Sequence, residues 1–203
     1  GRALFVTLLA ESHSRMLLHI GQLQFFDPGL IPSQIFIISA FRTLEEHGLP
    51  GLLDLLRREV QAREATVLVL DGVISIQETV GSPREQKKFL HELQAQAALA
   101  GCTIFLLGST QVPPIAIGHT MVDGVIQLQT KLYGRRAERH LEIYKMRGTG
   151  YLHGEHSYQI TDHGLIVYPR TEALLRIPSA PPAIGSTIGI GLNQLDRMAG
   201  GGF

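Results

Sequence analysis

Four short apolar runs set the strongest limit on what this chain can fold into: ALFVTLL (3–9), QIFIIS (34–39), TVLVLD (66–71) and TIFLLG (103–108). They are continuous, not alternating, so strands made from them present apolar side chains to both faces and need cover on both. Helical patterns lie between them. Residues 12–23 repeat apolar groups at Met16, Leu17, Ile20 and Leu23, and residues 43–62 do so at Leu49, Leu52, Leu53, Leu56 and Val60. SPRE (82–85) reads as a capping box, with Ser82 as the cap, Pro83 at the first helical position and Glu85 reaching back to the cap amide. Phe89, Leu90, Leu93 and Ala97 then mark one helix face, and Gly101 stops the helix. Such strand–helix alternation predicts an α/β fold, a mainly parallel sheet flanked by helices.

The pattern changes after about residue 120. GVIQLQT (124–130), HLEIYKM (140–146), SYQI (157–160) and LIVY (165–168) alternate apolar with polar residues and are joined by short turns. Antiparallel strands with one solvated face, continuing or flanking the parallel sheet, are expected there. RIPSAPPAI (176–184) is a proline-rich linker, and the residues after it are too few to hold a core.

Composition removes several classes of function. Lys plus Arg and Asp plus Glu are 18 each, so no net field recruits nucleic acid or a membrane surface. Cys102 is the one cysteine, which excludes an internal disulfide framework and a cysteine-based zinc site; a buried structural thiol is the expectation there. No apolar run is long enough for a membrane span, and the N-terminus lacks the features of a signal peptide, so a cytoplasmic setting is expected.

A few residues carry possible chemistry. Asp71 closes TVLVLD, at the carboxyl end of a buried parallel strand, where open α/β sheets bind ligands. It is either a magnesium-side acid acting through water or a turn cap. Glu11, after the first strand, either orients a water or favours the next helix's dipole, with Ser12 as its cap. Lys145 and Arg147 are two apart, share a face if that segment is a strand, and suit one anion or a solvated surface. HGEH (153–156) lies in an expected turn without helical ligand spacing and reads as surface histidines instead of a metal site. GIGLNQ (189–194) fails the dinucleotide fingerprint, with Gln194 at the third glycine position.

HLEIYKMRGTGYLHGEHSYQITDHGLIVYPR (140–170) resembles the end of an ATPase domain of the KaiC-like circadian-clock family, a branch of the RecA/RadA ATPases. Its Lys-x-Arg-Gly-Thr core, ITDHG turn and final YPR carry the likeness. ALFVTLLAESHSRML followed by FFD is similar to that family's segment bearing the catalytic glutamate, TVLVLDG to its Walker B strand, and STIGIGLNQLDRMAGGGF to the entry of such a domain. The resemblance implies a RecA-like domain over 1–175, the linker 176–184, and over 185–203 the entry segment of a second domain. Glu11, preceded by Ala10 where the family often has a second glutamate, would be the water-activating carboxylate. Asp71 would stand on the magnesium side. Lys145 and Arg147 would act in trans on the γ-phosphate of a neighbouring subunit, and Met146, Thr149, Thr161 and Asp162 would line the same nucleotide. Tyr151 stands where the family commonly has a histidine, and Ser109 and Thr110 are candidate phosphate-sensing hydroxyls.

The implied activity is ATP hydrolysis with Mg2+ at sites between subunits of a homo-oligomeric ring, a hexamer, with protein signalling partners and with neither membrane nor nucleic acid. A non-enzymatic assembly or signalling module, and a serine/threonine autokinase of the clock type, are the rival readings. The 203 residues contain no Gly-x-x-x-x-Gly-Lys-Ser/Thr phosphate loop. The chain is therefore expected to be a slice of a tandem ATPase that lacks this loop and is inactive alone.

Overall fold

A computed structural model describes residues 1–10, 13–73, 76, 82–108, 121–174, 189 and 191–198. The chain divides into two compact units, Gly1–Tyr168 and Pro169–Phe203. In the first unit the four apolar runs become β1 (Ala3–Thr7), β2 (Ile35–Ser39), β3 (Val67–Asp71) and β4 (Thr103–Leu107), paired in parallel in the order β2-β1-β3-β4. The intervening helices are α1 (His13–Ile20), α2 (Phe41–Arg63) and α3 (Pro83–Ala100). The helical pattern expected over 12–23 stops at Ile20, after which the backbone tightens into three-residue turns, with the Gln22 and Leu23 amides donating to His19 O and Ile20 O.

The core lies on one face of this sheet. Leu4 and Val6 of β1 and Leu68 and Leu70 of β3 are buried with Leu44, Leu52 and Leu56 of α2 and Phe89 and Leu93 of α3. Strand residues between them point the other way: Phe5 and Val69 are half-buried and Phe105 is 50% exposed. Cys102 packs half-buried against the core, and burial raises its thiol above the ordinary range.

Two local details depart from the expectation. Ser82 does occupy the N-cap position of α3 with Pro83 at its start, but its side chain makes no capping bond. Its carbonyl instead accepts from the Glu85 and Gln86 amides. Gly101 ends the helix in the left-handed region (φ 61°), a conformation that costs glycine little. Inside α2, Gly48 leaves helical backbone (φ 61°) two residues before Pro50, which cannot donate to the helical ladder, so α2 is kinked there.

The alternating segments form β5 (Gly124–Tyr133), β6 (Arg136–Met146), β7 (Glu155–Thr161) and β8 (Gly164–Tyr168), an antiparallel meander. Among the described residues it is a separate four-stranded sheet, flanking and not continuing the parallel one. The amide of Gln24, after α1, donates to the Asp162 carbonyl at 2.9 Å and ties the β7–β8 turn to the first half of the unit. In the second unit the described helices are α4 (Thr171–Leu174) and α5 (Asn193–Met198).

Truncating Leu56, which is 1% exposed among these helices and strands, should leave a cavity and cost about 2–5 kcal/mol in urea unfolding. Leu99→Ala, at a position 91% exposed, should change stability by less than about 0.5 kcal/mol.

Candidate functional site

The parallel pairing brings four strand ends into one row: Ser39, Thr7, Asp71 and Leu107 are register partners across β2, β1, β3 and β4. Asp71 therefore closes an interior strand. By strand alternation its side chain lies on the face away from α2 and α3, with Val67 and Val69. Backbone bonds carry the ladder past the row, from Leu8 N to Asp71 O at 2.9 Å and from Ala40 N to Thr7 O at 2.9 Å. The buried Thr7 hydroxyl accepts from the Leu9 amide at 3.1 Å, which turns the chain out of β1. Gly72 follows Asp71 with φ 85°, and a Cβ there would stand 2.8 Å from the Leu9 side chain. The exits of β1 and β3 are thus packed against each other, with glycine required at the contact.

An open depression adjoins this edge, lined by Leu9, Ala10, Ser39, Phe41 and Arg42. Sequence reasoning missed Arg42; the only signal for it was its place three residues beyond the end of the second apolar run. Glu11, Ser109 and Thr110 lie outside the described residues. Among the described residues no three His, Cys, Asp or Glu side chains are grouped to hold a metal ion. Magnesium needs less, because it keeps several waters and takes one or two carboxylates plus substrate phosphates. A single hard carboxylate at an open strand end, as Asp71 provides, fits that donor set.

The second group of candidates gathers where β6 ends. The β5–β6 register shifts between Val125 and Ile126, whose partners are Lys145 and Ile143, so Tyr144 is the extra residue of a bulge. Such a bulge re-aims the side chain that follows it. Lys145 Nζ donates to the Val122 carbonyl at 2.6 Å. Arg147 lies one residue past the strand, donates its amide to Asp123 O at 2.8 Å, and places Nη1 3.4 Å from Asp123 Oδ1. The two cations meet on successive residues, Val122 and Asp123, although only Lys145 belongs to the strand. Met146 closes the strand beside Gly124, its register partner.

The remaining candidates are in turns. The Thr149 hydroxyl donates to the Gly150 carbonyl at 3.3 Å. The Thr161 hydroxyl donates to Gly164 O at 3.0 Å and accepts from the His163 amide, so it shapes the β7–β8 turn that holds Asp162. Tyr151 donates its hydroxyl to the Tyr144 carbonyl at 3.2 Å, and its ring lies 4.6 Å from that of His153 with the two planes tilted by 54°. HGEH is corrected in one respect. Glu155 and His156 begin β7, and His156 is buried with a ring nitrogen 3.2 Å from Leu152 O, not on a surface loop.

One face of the antiparallel sheet holds a polar cluster that motif reading did not find. Gln129 and Lys131 of β5 both bond the Glu155 carboxylate. The buried His140 stands between Glu138 (3.8 Å) and Glu155 (3.9 Å), and its Nε2 makes no hydrogen bond. The Lys131 ammonium holds the Glu155 carboxyl below its ordinary range, and Glu155 in turn raises Lys131. The signal was present in period-two spacing, which sets Gln127, Gln129 and Lys131 on one face of β5.

Residues 30–172 match the family model described as "ATPase: KaiC". The chain is 30% identical over 160 residues to the circadian clock oscillator protein KaiC of Synechococcus elongatus, covering 76% of this chain and 30% of that protein. It is 27% identical over 181 residues to the KaiC of Parathermosynechococcus lividus, covering 84% of this chain and 33% of the relative. A UPF0273 protein of Thermotoga maritima is 29% identical over 122 residues, 58% of this chain and 50% of the relative. The chain thus spans about a third of the clock proteins' length.

The Lys131–Glu155 pair makes a pH prediction with a fixed sign. Because the folded Glu155 value is lowered, its contribution is present above the ordinary glutamate value of 4.5 and is lost as pH falls through the folded value. Because Lys131 is raised, its share is present below 10.5 and is lost as pH rises through its folded value. Thermal melts of Glu155→Gln should therefore differ from the parent at pH 7 and converge with it below the folded carboxyl value. A gap that persists unchanged into acid would show that the carboxylate is not the source.

Proposed function

The chain belongs to the KaiC family of ATPases, and we propose that it supplies two of the working parts of an ATP site completed between subunits of a ring. One part is the acid edge of the parallel sheet. The other is the cationic end of the antiparallel sheet, offered to the nucleotide of a neighbour. The observation that carries this is the position of Asp71: an acid closing an interior parallel strand, in register with Thr7, on the face that α2 and α3 leave uncovered. Ligands of open α/β sheets bind at such strand ends.

In this proposal Asp71 orients a water of the Mg2+ shell, and magnesium, when bound with ATP, neutralises charge on the phosphates. Glu11, which follows the β1 exit that Gly72 packs against, orients the attacking water for in-line displacement. Lys145 and Arg147 approach from the adjacent subunit and balance the charge that grows on the transferred phosphoryl group. Met146, Thr149, Thr161 and Asp162 surround the same nucleotide from that side. The chemistry is almost entirely positioning and electrostatics, which suits side chains fixed on strand ends.

No phosphate-loop motif occurs in these residues, and the proposed site assigns the cradle for the β- and γ-phosphates to none of them. The proposed organisation is a RecA-like domain over 1–175, a linker over 176–184 and a second domain's entry over 185–203, in a cytoplasmic hexamer. Among the described residues no helix is long and apolar enough to cross a membrane.

In the full-length protein, Arg147→Ala should lower ATP turnover by about a thousandfold or more, the range attributed to arginine fingers, while circular dichroism and thermal unfolding stay close to the parent. Asp71→Asn should raise the Mg2+ concentration needed for half-maximal turnover, because it removes the charge that holds the hydrated ion. Turnover unchanged by Arg147→Ala would remove the trans role.

A further inference from the structure

Arg147 meets Asp123 of its own subunit through both backbone and side chain. Its amide donates to the Asp123 carbonyl at 2.8 Å, and its Nη1 donates to Asp123 Oδ1 at 3.4 Å. The neighbouring cation, Lys145, donates to the carbonyl of Val122, one residue earlier. The segment entering β5 therefore receives both groups that the proposed function sends toward a neighbour's triphosphate. It receives them differently. One contact of Lys145 is to a neutral backbone oxygen, whereas the Arg147 guanidinium reaches a charged oxyanion of the kind a phosphate would present.

The two contacts to Asp123 also differ in strength. The amide bond fixes the Arg147 backbone beside the strand end. The side-chain pair is loose and open to water, with Arg147 57% and Asp123 81% exposed, and pairs of that kind are weak. A guanidinium binds carboxylate and phosphate through the same fork of N–H donors. Each N–H that serves Asp123 is unavailable to a phosphate oxygen. The backbone anchor lets the side chain change partner without moving the end of β6.

We infer that Asp123 is a placeholder for the phosphate: it occupies the Arg147 guanidinium in cis and competes with the neighbouring subunit's nucleotide for it. This rests on Arg147 acting in trans, as proposed above. Asp123 touches no nucleotide in this scheme and is a positioning residue. Its charge raises the ATP concentration needed to engage Arg147, and so couples subunit engagement to nucleotide supply.

Asp123→Asn keeps the size of the side chain and the backbone bond but removes the competing charge. In the full-length protein it should lower the ATP concentration for half-maximal turnover by about two- to fivefold, the range an exposed ion pair can supply, with kcat little changed. The concentration of a non-hydrolysable ATP analogue giving half-maximal subunit assembly, followed by sedimentation, should fall by the same factor. High salt should narrow the difference between parent and variant, because it screens the exposed pair. In an Arg147→Ala background the substitution should do nothing in either assay. An unchanged or raised half-maximal concentration overturns the inference, as does a shift of equal size without Arg147. If Arg147→Ala alone leaves turnover and assembly intact, the trans reading fails and takes this inference with it. If Arg147→Ala is crippled while Asp123→Asn is silent, only the placeholder fails.

Discussion

The parallel pairing of β1 with β3 is the interaction on which the rest depends. It sets Leu4 and Val6 beside Leu68 and Leu70 on one face, where α2 and α3 bury them. The same register brings Thr7 opposite Asp71 at the carboxyl edge. Because strand side chains alternate with period two, a slip by one residue would turn the leucines outward and swing Asp71 toward the helices. Burying the leucines and presenting the acid are therefore one constraint. The energy that fixes the register is apolar, and the polar geometry at the edge follows from it.

The antiparallel sheet solves a different problem. Its first two strands are long, yet the β5–β6 register breaks at Val125/Ile126, beside Lys145. Without that shift Lys145 would follow the ordinary alternation of β6. With it, Lys145 reaches the Val122 carbonyl, and Arg147 falls just beyond the strand against Asp123. On the other side of the meander, the Gln24–Asp162 backbone bond ties the β7–β8 turn to the segment after α1. The cationic end is thus shaped by local backbone geometry, whereas the acid edge is shaped by burial.

That difference explains what could be read in the sequence. The parallel strands were legible because continuous apolar runs have few other uses, and all four lie within two residues of where they were expected. The meander was legible from alternation, and Asp71 from its place at the end of a run. The Gly48 kink, the unused Ser82 hydroxyl and the bulge beside Lys145 were not, because each depends on partners distant in sequence or on backbone angles that residue type only biases. His156 was misplaced for the same reason: its burial comes from pairing with β6, which no local pattern around HGEH reveals. The His140–Glu155 proximity likewise exists only once β6 and β7 are side by side.

The central claim is that one subunit's acid edge works with another subunit's cations. Mixing two inactive full-length variants, Asp71→Ala and Arg147→Ala, tests it directly, since a mixed ring contains some interfaces with an intact Asp71 facing an intact Arg147. ATP turnover in the mixture should rise well above that of either variant alone, with a maximum near equal proportions. Turnover that stays at the sum of the two separate variants, in rings shown to have exchanged subunits, would contradict the claim and place both groups in a single subunit's site.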